Sequence, residues 1–266
     1  MENMSRRKFL QLSALGVAGV GLLAGCGPSA KTAVGGGSFQ EAPNKSKAKS
    51  WGMLIIPEKI SSEDIQRMQD VCHKAHNVPN IPNKKHEVKW IWEEPYENIF
   101  FEETTDVLNE KLRNLPIATL CNQCRHPVCV KVCPTQATFT NDEGIIMQDM
   151  HRCIGCRNCM AACPYGSRSF NFVDPRSYIE EINPHYPTRM KGVVEKCDFC
   201  VERLAKGELP LCVEASNGGI IFGDLDDPSS EISQRLSQVL AIQRRPSMGT
   251  SPKVYYQVGL KGGDEA

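Results

Sequence analysis

Cys153-Ile154-Gly155-Cys156-Arg157-Asn158-Cys159-Met160-Ala161-Ala162-Cys163-Pro164 is the stretch on which the reading of this 266-residue chain turns. Its cysteines are spaced x2, x2, x3 and closed by a proline. A near-copy precedes it, Cys121-x2-Cys124-x4-Cys129-x3-Cys133-Pro134. A tight C-x2-C-x2-C turn wraps three thiolates around one face of a metal–sulfide cubane and aims backbone N–H groups at its sulfurs. A cubane offers one open site per iron, so a fourth thiolate must come from elsewhere, and Pro134 and Pro164 turn the chain away just after it. In this spacing the fourth cysteine of each run ligates the cluster of the other. The expected sets are Cys121, Cys124 and Cys129 with Cys163, and Cys153, Cys156 and Cys159 with Cys133.

Further along, Cys197-x2-Cys200-x11-Cys212 repeats the opening but not the close, because Ser216 stands where a fourth cysteine is due. The missing partner lies upstream. Counting back from Cys72 with the same spacing reaches Met68, Ile65 and Ser62. Under the crossing rule, positions 62, 65, 68 and 216 form one set, and it holds no cysteine. The complementary set, Cys72 with Cys197, Cys200 and Cys212, is complete. Three [4Fe-4S] clusters then use all twelve cysteines between Cys72 and Cys212 and leave no thiol over. Ile65, Met68, Val71 and Ala75 recur at helical spacing behind Ser61 and Ser62, which predicts an N-capped helix. Ile65 and Met68 are expected to fill the place of the absent cluster with apolar side chains.

Residues around the third set carry a resemblance. They are Glu195-Lys196-Cys197-Asp198-Phe199-Cys200, Arg203-Leu204, Gly207-x2-Pro210-x-Cys212-Val213, Phe222-Gly223-Asp224-Leu225-Asp226-Asp227-Pro228 and Gly249-Thr250-x-Pro252-x-Val254-Tyr255-Tyr256. Over residues 50–257 the sequence resembles the multi-cluster ferredoxin subunits of membrane-bound, quinone-linked oxidoreductases. Dimethyl sulfoxide and polysulfide reductases, one hydrogenase class and the formate-dependent nitrite reductase system contain such subunits. Full members resemble four-cluster wires, so the lost first motif is a departure. It implies that the chain does not dock a molybdopterin subunit in the usual way. The periplasmic iron–sulfur subunit of the Dsr transmembrane complex fits best. The resemblance implies an electron-transfer subunit, not catalytic on its own, with sulfur or sulfite metabolism as its setting. The implied partners are a quinone-reactive integral membrane subunit and another redox subunit, either a multihaem cytochrome or an iron–sulfur protein.

The fold class that follows from the crossing is α+β, with two ferredoxin-like modules, one inserted in the other, and a C-terminal helix and extended tail. Residues 51–116 and 174–226 are the two parts of the outer module. The second part carries an irregular insert over 174–192, with Pro175, Pro184 and Pro187, expected to meet a partner. Residues 117–173 are the inner two-cluster module, and 227–266 are the helix and tail. A hairpin is predicted from Ala137–Thr140 through a turn at Asn141–Gly144 to Ile145–Met147. Gly219–Phe222 reads as a strand. Ile232, Leu236, Val239 and Leu240 predict a helix within Ser229–Gln243.

At the N-terminus, Ser5-Arg6-Arg7-Lys8-Phe9-Leu10 precedes a weakly apolar stretch to Gly25, the pattern of a twin-arginine export signal. Such a signal suits a protein exported folded and loaded, to the periplasmic face of the cytoplasmic membrane. A retained N-terminal membrane anchor is the other reading, though the stretch is short and glycine-rich for a span. Leu23-Ala24-Gly25-Cys26 resembles a lipobox, and Cys26 is either lipidated or incidental. Residues 1–26 are thus the signal, and 27–50, rich in Gly, Ser, Lys and Ala, a flexible tether.

The net charge of +0 leaves no nucleic-acid footprint. Cysteines in an exported protein also suit disulfides, or zinc in a structural or docking lipoprotein, which is the alternative function. The close C-x2-C clustering favours iron–sulfur clusters. No Cys-x2-Cys-His haem attachment site occurs. His126 and His151, beside cysteine runs, read as solvated loop residues. His73 and His76 read as surface histidines, and Trp90 and Trp92 as strand residues of the core.

Overall fold

Ser61 starts the longest helix among the described residues, and its side chain shows why the helix begins there. Its hydroxyl accepts from the Asp64 N–H while the Asp64 carboxylate accepts from the Ser61 N–H, a reciprocal capping box. The computed structural model describes residues 50–105 and 107–258. The expected signal, Cys26 and nearly all of the tether lie outside them.

In sequence order the elements are β1 (Trp51–Ile55), α1 (Ser62–Ala75), β2 (Ile91–Pro95), α2 (Tyr96–Ile99), α3 (Glu110–Arg113), β3 (Pro116–Leu120) and α4 (Val128–Lys131). Then come β4 (Thr138–Thr140), β5 (Ile146–Gln148), α5 (Asn158–Ala162), β6 (Ser169–Phe170), β7 (Val194–Glu195), α6 (Val201–Leu204) and α7 (Leu211–Ala215). The last four are β8 (Ile220–Asp224), α8 (Glu231–Leu236), β9 (Ala241–Ile242) and β10 (Val254–Gln257).

One four-stranded sheet has the order β8-β1-β10-β9. β1 pairs antiparallel with β8 and parallel with β10, although almost the whole described chain separates β1 from β10. A parallel pair needs such a long crossover. Met53, Leu54 and Ile55 are fully buried, so the pairing is held by apolar burial on both faces of β1. Antiparallel pairs β2-β3, β4-β5 and β6-β7 complete the set. The β4-β5 hairpin is the predicted one, closed by Asn141, whose carboxamide oxygen accepts from the Glu143 and Ile145 N–H groups.

α1 presents Ile65, Met68 and Cys72 to the core. Ile65 and Met68 are 0% exposed, and their burial contributes roughly 1.5–3 kcal/mol each. Ser216, the other interior position of the cysteine-free set, is also 0% exposed. Its hydroxyl donates to the Val213 carbonyl at 2.7 Å and accepts from the Ile220 N–H at 3.0 Å. Ser62 is exposed at the start of α1.

One expectation changes, and the insert over 174–192 gains an internal role. The helix sought within Ser229–Gln243 ends at Leu236, and the chain goes on to form β9. Ile232 alone of its expected apolar face is fully buried, while Leu240 is 59% exposed, so the face lacks the packing to extend. The insert over 174–192 folds back on the body. Asn77 donates to the carbonyls of Asn183 and Tyr186, and the Arg189 guanidinium is buried against Glu195. Among the described residues no helix is long and apolar enough to cross a membrane.

Candidate metal centres

β3 ends at Leu120 and delivers Cys121 into a loop that returns through Cys124 to Cys129 on α4. Cys163 arrives from the far side, as the residue that ends α5. These four line one cavity. Cys133, Cys153, Cys156 and Cys159 line a second. Each cavity thus holds three cysteines of one run and the last of the other. In the third set, Cys72 stands on α1 and Cys212 on α7, with Cys197 and Cys200 in the loop before α6. Cys72 lies within electrostatic reach of Cys197 and Cys212, and Cys200 of all three.

The sets adjoin in a definite order. Cys197 of the third set lies within electrostatic reach of Cys121 of the first, whose loop residue Gln123 donates to the Cys197 carbonyl, and Cys159 of the second lies within reach of Cys129 of the first. The first set is therefore in the middle. Cys156 of the second set is exposed, whereas all four cysteines of the third are buried.

One turn recurs in all three sets. The residue before the second cysteine of each C-x2-C has positive φ: Gln123 at 44°, Gly155 at 70° and Phe199 at 60°. Glycine adopts this conformation freely, whereas other residues are strained there by roughly 1–2 kcal/mol. Phe199, 0% exposed, is held by core packing, and its N–H lies 3.5 Å from the Cys197 sulfur. Gln123 is held by its side chain, which accepts from the Ile146 N–H at 2.7 Å and donates to the Cys197 carbonyl at 3.0 Å. It ties the first set to β5 and to the third set.

The donor chemistry fits iron–sulfur clusters. The twelve thiols of the three sets are free of disulfides. Burial pushes Cys124 and Cys212 up to about 12, and drives Cys72, Cys197 and Cys200 upward as well. Bound metal reverses this by holding a coordinating thiol as thiolate. The cations for that state are already in place. Arg168, Lys196, Arg244 and Lys253 are 5% exposed or less, and none has a carboxylate within ion-pair distance among the described residues. Among the described residues, Nη2 of Arg168 and Nε and Nη1 of Arg244 have no hydrogen-bond partner. Unpaired buried guanidinium groups are costly, and anionic clusters between them remove that cost.

Sequence reading missed these buried cations, and no periodicity announces them. The structure also corrects the reading of His76, which is 1% exposed. Its Nδ1 donates to the Cys72 carbonyl at 2.8 Å and lies 3.7 Å from the Cys72 sulfur, while Nε2 meets Glu202 at 3.0 Å. Burial opposes the imidazolium, but Glu202 and Asp198 outweigh it and raise its pKa. His76 stacks on Trp90, whose indole N–H donates to Glu195. Glu195, 0% exposed, also takes Asn171 and Arg189. The Glu195-Lys196-Cys197 motif thereby acquires a cause. Glu195 anchors Trp90 and the insert, and the Lys196 ammonium bridges the Ile146 and Cys197 carbonyls. His126 and His151 are exposed, as expected.

Paired cavities, each lined by four cysteines drawn from two runs, define an iron–sulfur protein of the multi-cluster ferredoxin class. Residues 114–175 match the family model of the 4Fe-4S dicluster domain. The sequence is 40% identical to the Hdr-like menaquinol oxidoreductase iron-sulfur subunit 1 of Archaeoglobus fulgidus, over 95% of this protein and 97% of that one. It is 33% identical to the menaquinone reductase iron-sulfur cluster-binding subunit of Nitratidesulfovibrio vulgaris, over 77% and 88%. It is 36% identical to a polysulfide reductase subunit of Wolinella succinogenes, over 55% and 69%. The protein belongs to the family of electron-transfer iron–sulfur subunits of membrane-bound, quinone-linked oxidoreductases.

Proposed function

We propose that the protein carries electrons through three [4Fe-4S] clusters inside a membrane-associated, quinone-linked respiratory complex. The observation that carries this is the crossed lining of the two cavities, each with four cysteines drawn from two runs. The ligands are Cys121, Cys124, Cys129 and Cys163 for the first cluster, and Cys133, Cys153, Cys156 and Cys159 for the second. Cys72, Cys197, Cys200 and Cys212 hold the third. When bound, such clusters supply one-electron storage at potentials set by burial, charge and hydrogen bonds to sulfur.

The protein's own part is to fix the sulfurs and exclude water. Gln123 and Phe199 hold the ligand loops in their strained turns, and the buried cations offset the charge of the thiolates. Ile65, Met68 and Ser216 close the fourth site with packed core and satisfied hydrogen bonds, which supports a count of three. The described fold is read as two ferredoxin-like modules, with 117–173 inserted into 51–116 and 174–226. Electrons pass along the order third, first, second, and the exposed Cys156 marks the end that a redox partner approaches.

The partners proposed are a quinone-reactive integral membrane subunit and a second redox subunit, a multihaem cytochrome or an iron–sulfur protein. The menaquinol, menaquinone and polysulfide named in the relatives support a setting in quinone-linked sulfur metabolism. The proposed location is the periplasmic face of the membrane, reached by the twin-arginine signal, with Cys26 as an anchoring site. Anaerobic counting of iron, acid-labile sulfide and zinc per polypeptide tests the reading. Roughly twelve irons and twelve sulfides are expected for three cubanes. Zinc without sulfide overturns it in favour of a metal-stapled structural lipoprotein.

A further inference from the structure

Between the first and second cysteine sets stands a single guanidinium. Arg168 follows Cys163 by a few residues and is 5% exposed. Its Nη1 donates to Thr138 Oγ1 at 3.3 Å and to Gln148 Oε1 at 3.1 Å, both on the β4-β5 hairpin. Those two bonds fix the plane of the guanidinium. Among the described residues Nη2 is buried with no hydrogen-bond partner. The side chain lines the first cavity. Thr138 and Gln148, which hold it, line the second cavity, and Cys129, Cys121 and Cys159 lie within its electrostatic reach. Cys129 and Cys121 belong to the first set and Cys159 to the second.

The other buried cations are placed differently. Lys196 and Lys253 donate to backbone carbonyls, and Arg244 packs over the Tyr165 ring beside Cys163 of the first set. Of these four, Arg168 is the one that lines the first cavity and bonds to residues that line the second.

We infer that Arg168 is the shared counter-cation of the first and second clusters, a positioning residue that raises the reduction potentials of both. The inference rests on reading those two cysteine sets as cluster ligands. Reduction adds negative charge to a cluster. A buried cation beside it favours the reduced form, and the effect is strong because little water screens it. A donor to ligand sulfur acts in the same direction. One rigid fork between two clusters therefore moves both potentials together and keeps them matched for electron exchange.

The test is an EPR-monitored redox titration of the holoprotein, with iron and sulfide counted in every sample. Arg168→Met is expected to make reduction of the first and second clusters about tenfold less favourable, a fall of about 59 mV for one electron, with the third unchanged. Arg168→Lys keeps the charge without the fork and is expected to lie between. On the parent protein, ¹⁵N-arginine labelling with pulsed EPR is expected to show a guanidinium nitrogen coupled to both reduced inner clusters, and Arg168→Lys to abolish it. A fully loaded Arg168→Met with unchanged potentials overturns the inference, as does an equal shift in the third cluster. Absence of the ¹⁵N coupling in the loaded parent also overturns it, and this holds whether or not Arg168→Met assembles. A parent without iron and sulfide overturns the cluster reading instead.

Discussion

Replacing Cys72 with alanine removes one sulfur from α1, more than a hundred residues before the other cysteines of its set. As packing, the loss is small. Cys72 is 6% exposed, and deleting a group of methylene size costs about 0.8 kcal/mol plus a minor cavity term. As ligation, the loss is large. Cys197, Cys200 and Cys212 remain, all buried, with thiols whose pKa burial drives upward. Three such thiols revert to the protonated form and release their iron. The expected count falls from roughly twelve irons to roughly eight, with one EPR signal lost. Met68, one turn earlier on the same face, is the control. It is 0% exposed, and Met68→Ala costs about 2–5 kcal/mol by truncation while keeping all the iron. Iron and sulfide analysis with denaturant unfolding on both variants separates the two losses. Full iron in Cys72→Ala, or a missing cluster in Met68→Ala, refutes the assignment of the third set.

Other outcomes are equally open to measurement. Ser216→Ala strips the Ile220 N–H of its acceptor and is expected to cost about 1–3 kcal/mol in urea unfolding with unchanged iron; iron loss would make Ser216 a ligand. Gln123→Ala leaves the Ile146 N–H and the Cys197 carbonyl without that partner and is expected to destabilise by about 2–4 kcal/mol, read by the same unfolding curves. Ile154, 67% exposed and lining the second cavity, is expected to change stability by less than about 0.5 kcal/mol as Ile154→Glu. The same variant should slow stopped-flow oxidation of the reduced protein by ferricyanide, an anion, and an unaltered rate would place the electron port elsewhere. Removing the iron with an oxidant and chelator should abolish cooperative unfolding, because the buried cations lose their anions; an apoprotein with the parent's unfolding curve would sink that account.

Local chemistry was legible where a short stretch of sequence decides the outcome. The N-cap at Ser61, the hairpin around Asn141 and the burial of Ile65 and Met68 follow from spacing alone, because each depends on neighbours within a turn or two. The helix within Ser229–Gln243 misled for the opposite reason. Its apolar periodicity runs on, but only Ile232 finds a full partner surface, and the segment after Leu236 is drawn into pairing with β10. His76 looked like a surface residue because its burial depends on Trp90, Tyr186 and Glu202, which come from distant parts of the sequence.

The sequence by itself determined the kind of centre and its grouping of cysteines, since the number and spacing of thiolates restrict which metal geometries can be satisfied. It also determined that positions 62, 65, 68 and 216, which the crossing rule groups, hold no cysteine. Only the tertiary structure decided that the first set lies between the other two, that Cys156 is the exposed ligand, and that Arg168 stands between two sets of sulfurs. Those facts depend on which surfaces pack together across a hundred residues or more. That packing is set by the summed burial of β1, β8, β10 and α1, not by any local pattern.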